Sequence, residues 1–141
     1  MKKMLFLMFT AIALLSSCDT DNDINFHYEA LEIKSVEMPE SFNRGDIYTI
    51  KVTYLRPDNC TYFEGFDVVR EEVTTRNIVA VAAVFDNEEE CVALNTEQVA
   101  TFKFEVLYQD PYLFRYRTGK DENGEPTYLE ITVPVNDPST D

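Results

Sequence analysis

Tryptophan is absent from this chain, histidine nearly so, and basic residues are scarce: no Trp, one His, and 12 Lys and Arg against 26 Asp and Glu in 141 residues. With His27 alone to serve as a base, and that one in a polar N-terminal stretch, serine or cysteine triads of the histidine type are excluded on composition. A formal charge of −14 repels phosphate backbones. Nucleic-acid binding, whose affinity comes mostly from Lys and Arg neutralising phosphates, is disfavoured. Nor is there a polybasic patch to hold an anionic membrane surface. The longest apolar run, Met4 to Leu15, is about a dozen residues, short of the roughly 20 that a spanning helix needs. No segment sustains a helical period, so helix is confined to a turn or so, with Thr96 to Val99 the expected place.

What is present begins at the N-terminus. Lys2 and Lys3 precede the apolar run, which ends in Leu15-Ser16-Ser17-Cys18. This order of charge, apolar stretch, small residues and cysteine resembles the lipobox of bacterial lipoproteins. The resemblance implies removal of residues 1–17 as a signal peptide, a diacylglycerol on the Cys18 thiol and acylation of the new amine, and two or more chains hold a protein durably on a membrane. An ordinary secretory signal cut elsewhere, leaving Cys18 as a free or paired thiol, is the alternative. The acidic run Cys18-Asp19-Thr20-Asp21-Asn22-Asp23 is similar to the surface-export signal of Bacteroidota lipoproteins, whereas in the proteobacterial scheme an aspartate in the Asp19 position implies inner-membrane retention. The cluster of three aspartates favours the outer membrane and the cell surface, with a periplasm-facing or inner-membrane placement as alternatives.

Residues 18–29 read as an acidic tether without periodicity. Asp21, Asp23, Asn25 and Glu32 fall at positions 1, 3, 5 and 12 of a calcium-binding EF-hand loop, but Phe26 stands where the sharp turn demands glycine, so no metal is expected there. His27 is expected to be solvated.

Beyond the tether, apolar residues recur with the period of strands. Seven are expected: Leu31 to Met38 with a bulge near Ser35, Ile47 to Leu55 with Tyr48, Ile50, Val52 and Tyr54 on one face, and Thr61 to Val69 with a bulge or kink at Gly65. Arg76 to Phe85 is apolar on both faces and therefore central. Val99 to Tyr108, Tyr112 to Thr118 and Thr127 to Val135 complete the set, the last two joined by a hairpin at Asn123-Gly124. The economical arrangement is all-β: a seven-stranded antiparallel immunoglobulin-like β-sandwich over residues 30–136, followed by a disordered tail at 137–141, with a closed barrel as the alternative. The stretch Tyr112 to Val135 also looks like the last hairpin of small Bacteroidota lipoproteins, a likeness that implies no activity.

With Cys18 acylated, Cys60 and Cys91 remain. Successive loops of a sandwich alternate between its ends, which puts the loops carrying these two at the same end and favours a disulfide in an oxidising compartment. Two unpaired thiols are the alternative, and a metal site is less favoured. The acidic segments Asp86 to Glu90 and Asp121 to Glu125 fall at that end too, where the tether enters, and read as solvated loops. At the opposite end, Phe42, Arg44 and Arg76 are the candidate ligand-binding residues.

Carboxylate pairs able to cleave glycosides exist in any chain this acidic, which makes each pair uninformative. No catalytic residue, cofactor or resident metal is expected. The function expected is that of a surface binding module for a glycan, peptide or protein, attached to the membrane through its lipid. The alternative is a structural component of an envelope complex that pairs through a sheet edge. Oligomeric state is left open.

Overall fold

The computed structural model describes residues 24–86 and 90–138. Among them are ten strands: β1 Phe26–Leu31, β2 Ile33–Glu37, β3 Phe42–Asn43, β4 Ile47–Asp58, β5 Thr61–Arg70, β6 Thr75–Phe85, β7 Ala93–Glu105, β8 Tyr112–Lys120, β9 Pro126–Val133 and β10 Val135–Asn136. No helix long and apolar enough to cross a membrane occurs among the described residues.

One sheet has the order β2-β4-β7; the other joins β5, β6, β8 and β9 side by side, with β1 sharing an edge of β6. The two enclose a single core. Ile50, Val52, Tyr54 and Phe104 enter it from the first sheet, and Ile78, Phe114, Tyr116 and Val133 from the second. The alternation in β4 and the central position of β6 follow the expected pattern. Small residues at Ala80 and Ala82 on the inner face of β6 make room for Phe63, Phe66 and Phe102, whose rings meet in sequence, edge to face at 5.1 Å and tilted at 5.3 Å. The register shifts at Ile33/Ser35 and Phe63/Gly65 match the bulges expected near Ser35 and at Gly65.

Several expectations are corrected. The first strand is divided, because Leu31 pairs with Ala80 in one sheet while Ile33 pairs with Tyr54 in the other, and the Glu32 carbonyl accepts the Leu55 N–H at the crossing. The chain joins the sheet at Phe26, four residues before the boundary read from the sequence: Phe26 and Tyr28 alternate with His27 and Glu29, and pairing with Phe85 and Ala83 gives the aromatic residues a surface to lie on. Thr96 to Val99 is strand, not helix. The long β4 extends to Asp58 and offers an open edge to which β7 pairs down to Ala93.

Nor is the pairing wholly antiparallel. β3 and β10 are parallel, and so are β6 and β8. The second case arises because β5, not β6, takes the outer place in the β5–β6 hairpin. In the immunoglobulin arrangement the first strand of that hairpin lies beside its counterpart of β8; here the second does. The β7–β8 crossing is held by Tyr112, whose hydroxyl accepts the N–H groups of Leu107 at 3.1 Å and Tyr108 at 3.0 Å. This has the form of a tyrosine corner, with the ring buried and the hydroxyl satisfying the backbone of the bend.

Candidate functional site

The three residues singled out at the outward tip do not act together. Phe42 is fully buried, in ring contact with Tyr48, Phe104, Tyr112 and Phe114. Arg76 is 8% exposed. Its Nη1 donates to the carbonyls of Glu72, Val73 and Thr75 at 3.1–3.2 Å, and its guanidinium lies over the rings of Phe104 and Tyr112. Burial lowers its pKa from the usual value, and the carbonyls and ring faces compensate the charge it keeps. Arg76 closes the β5–β6 turn from beneath. Only Arg44 reaches solvent, beside Gly45 at φ +90°, where it lines a cleft of about 510 Å³ with Asn43, Asn136 and Pro138. The Asn136 amide holds that cleft together by donating to Ser41 and Asn43.

At the other end Cys60 and Cys91 form a disulfide, with Cα atoms 5.6 Å apart. Asp58 accepts from the Cys60 N–H and the Thr61 hydroxyl, and Asn59 exchanges bonds with the backbone of Val92 on the facing segment. Asp58 and the two sulfurs are the one His/Cys/Asp/Glu grouping tight enough for a metal among the described residues. With the sulfurs bonded to each other, neither is a thiolate, and Asp58 alone keeps a ligand atom.

The outer face of the larger sheet is built differently from an ordinary solvated face. Register places Phe26 opposite Phe85, and Ala83 between Tyr28 and Tyr62. The rings form a continuous chain, Tyr28 to Phe26 at 5.4 Å, Phe26 to Phe85 at 5.9 Å and Phe85 to Tyr62 at 5.5 Å. Ala83 is buried beneath them although it points away from the core, while Phe26 is 45%, Tyr62 50% and Tyr28 64% exposed. Arg56, whose Nε donates to the Thr61 carbonyl at 2.7 Å, stacks on Tyr62 at 5.0 Å and ends the chain.

Tyr28 also forms one wall of a slot of about 370 Å³, lined by Glu29, Ala30, Arg117 and Lys120. Topology creates it. β8 pairs with β6 only at Thr75–Ile78, β1 takes the same edge of β6 from Ala80 onward, and the slot opens between β1 and the freed end of β8. Neither Arg117 nor Lys120 has an ion-pair partner among the described residues. Arg117 Nε is the one buried side-chain nitrogen or oxygen among them with no hydrogen-bond partner.

His27 stands at the rim, Nε2 2.9 Å from Glu29 and Nδ1 3.2 Å from Asp86. Hydrogen bonding first to Glu29 and then to Asp86 raises its pKa above 6.5. A folded-state value above the unfolded one means that the contribution of charged His27 is complete below pH about 6.5 and is lost as pH rises through the raised value. The ring therefore clips β1 to the loop after β6 most firmly in acid. In an NMR titration the His27 ring protons should give a midpoint above 6.5, and Glu29→Gln should move it down. A midpoint at or below 6.5 in the native chain would contradict the assignment.

Sequence reasoning missed this face because its first two rings fell in the presumed tether and Tyr62 beside Phe63 gave no sign of which ring points out. The alternation Phe26-His27-Tyr28-Glu29-Ala30 is the signal that was there. No family model matches this chain, and no curated protein or solved structure does either.

Proposed function

We propose that this protein is a lipid-anchored, non-catalytic binding module of the cell envelope, fixed through Cys18 to the outer membrane and facing the cell surface. The observation that carries the binding role is the chain of four rings on the outer face of the sheet, with Phe26, Tyr28 and Tyr62 exposed and Phe85 half-buried between them. Exposed apolar groups set contiguously on a sheet face, with polar groups at the margin, are the usual form of an interaction surface. The lipobox-like Leu15-Ser16-Ser17-Cys18 supports the anchor, and a disulfide supports an oxidising compartment. The division into a three-strand and a five-strand sheet, with a tyrosine corner between β7 and β8, supports kinship with immunoglobulin-like sandwiches, from which the parallel β6–β8 pair and the added β1 depart. Both nitrogens of His27 face carboxylates, which suits a clip rather than a general base.

One observation favours assembly as a second reading: β7 is 13 residues long and its outer edge is unpaired among the described residues. That edge carries Glu97, Lys103 and Glu105, and Asn95 bends it at φ +47°, features that discourage strand addition. The experiment is retention of the full chain on the polymer fraction of its native envelope, compared with a Tyr28→Ala/Tyr62→Ala double variant. At least a tenfold fall in retention with an unchanged thermal midpoint is expected. Equal retention of the two proteins would count against a ring-faced binding module.

A further inference from the structure

Resting on the binding-module reading, we infer that the slot between β1 and the end of β8 takes the acidic group of an anionic saccharide, whose adjoining sugar ring packs on Tyr28 and the rings that continue from it. Of the lysines and arginines among the described residues, Lys34, Lys51 and Arg115 are in ion pairs. Arg117 and Lys120 are not, and the two stand together in one small slot. The acid that lines the slot, Glu29, is turned to His27, and Glu32, beside Gly119, lies 3.6 Å from Lys34.

Second, Arg117 Nε is buried with no acceptor. Buried donors in folded proteins are almost always paired; this one is sealed from solvent and does not itself meet a ligand, but its lack of a partner shows that no group of the fold has claimed this guanidinium. A guanidinium and an ammonium together favour a carboxylate, sulfate or phosphate. Third, the slot does not stand alone: Tyr28 is at once its wall and the first ring of the exposed aromatic chain. A ligand filling it must present an anionic group next to a flat apolar face. A sugar ring does this, its C–H face lying on the aromatic ring while its acid enters the slot. A volume of about 370 Å³ admits one such unit at the end or along the side of a longer chain.

An anionic bilayer, the other surface rich in phosphate, fits less well. If Cys18 is acylated, Phe26 lies within eight residues of the anchor, or at most about 29 Å of extended chain. Docking this face on lipid would, however, bring Glu29 and Asp86, which flank His27 at the rim, toward the headgroup charge, where unscreened repulsion reaches about 8–10 Å. A discrete ligand entering the slot meets two cations and one carboxylate, that of Glu29, which is turned to His27.

The test uses the full chain, purified in detergent and titrated by calorimetry with oligogalacturonate and with a sulfated chondroitin tetrasaccharide, each against its neutral or desulfated counterpart. The expected result is at least tenfold tighter binding of one acidic probe than of its counterpart. That preference should vanish in Lys120→Glu, an exposed substitution that leaves the thermal midpoint in place, and in Arg117→Gln, and should weaken between 50 and 500 mM salt. Equal binding of acidic and neutral probes, lost in Tyr28→Ala/Tyr62→Ala but not in Lys120→Glu, would overturn the acidic-group assignment and leave the ring-faced module standing. No binding to any saccharide, with the double tyrosine variant also unchanged on envelope polymer, would remove both. Binding to phosphatidylglycerol vesicles without binding to either acidic probe would overturn the saccharide in favour of the bilayer.

Discussion

Phe42→Ala lowers the stability of this domain by about 3–5 kcal/mol in equilibrium urea denaturation, the range for removing a buried aromatic side chain from a core that cannot close around the space. The ring is fully buried and touches four others, Tyr48 at 4.8 Å, Phe104 at 5.8 Å, and Tyr112 and Phe114 at 6.0 Å. Two backbone bonds fix the segment that carries it. The Phe42 N–H donates to the Pro134 carbonyl, and the Asn43 N–H to the Tyr48 hydroxyl. Collapse of β3 into the cavity would break both, so the cavity persists. Arg44→Ala, two residues on and exposed, should stay within about 0.5 kcal/mol of the native chain. A loss below 1 kcal/mol for Phe42→Ala would mean that the ring is not the plug of the core.

Replacing both Cys60 and Cys91 by serine should cost about 3–4 kcal/mol, the chain-entropy value for a closed loop of 31 residues. The same loss is expected when the native protein is denatured in the presence of a reductant. The bridge ties the β4–β5 turn to the start of β7, where Asn59 and Val92 already share two hydrogen bonds. Removing it should therefore loosen the Val92 to Asn95 end of β7 before the rest, visible as faster amide exchange there. If the serine variant and the native chain unfold at the same urea concentration, the bridge is not a source of stability.

These two residues and this pair show what the sequence made legible and what it did not. The cysteines could be paired in advance because strand alternation puts the turn after β4 and the loop after β6 at one end whatever the order of strands within a sheet. Bulges at Ser35 and Gly65 showed as a change of inward phase and a glycine within a strand. The Gly124 turn, at φ +79°, showed as Asn-Gly between two alternating runs. Phe42 gave no such sign: one aromatic residue among Ser41, Asn43 and Arg44 has no period, and a plug and an exposed anchor look alike. Arg76 reads as a tip cation because loop alternation places it at the outward end, and its burial depends on three carbonyls of a turn that only the fold brings together. Strand order was also hidden. Nothing in the composition of β5 or β6 says which lies outside, and that choice produces the parallel pair with β8, the shared edge with β1 and hence the slot. The candidate site was illegible because topology, not a motif, creates it.

The proposed place in the cell envelope rests on acylation of Cys18. The most direct measurement is the intact mass of the protein extracted from its native membrane without reductant. The account predicts a chain that begins at Cys18, carries the added mass of a diacylglycerol and an amide-linked acyl group, and lacks two hydrogens for the Cys60–Cys91 bridge. An unmodified N-terminus upstream of Cys18 would contradict it.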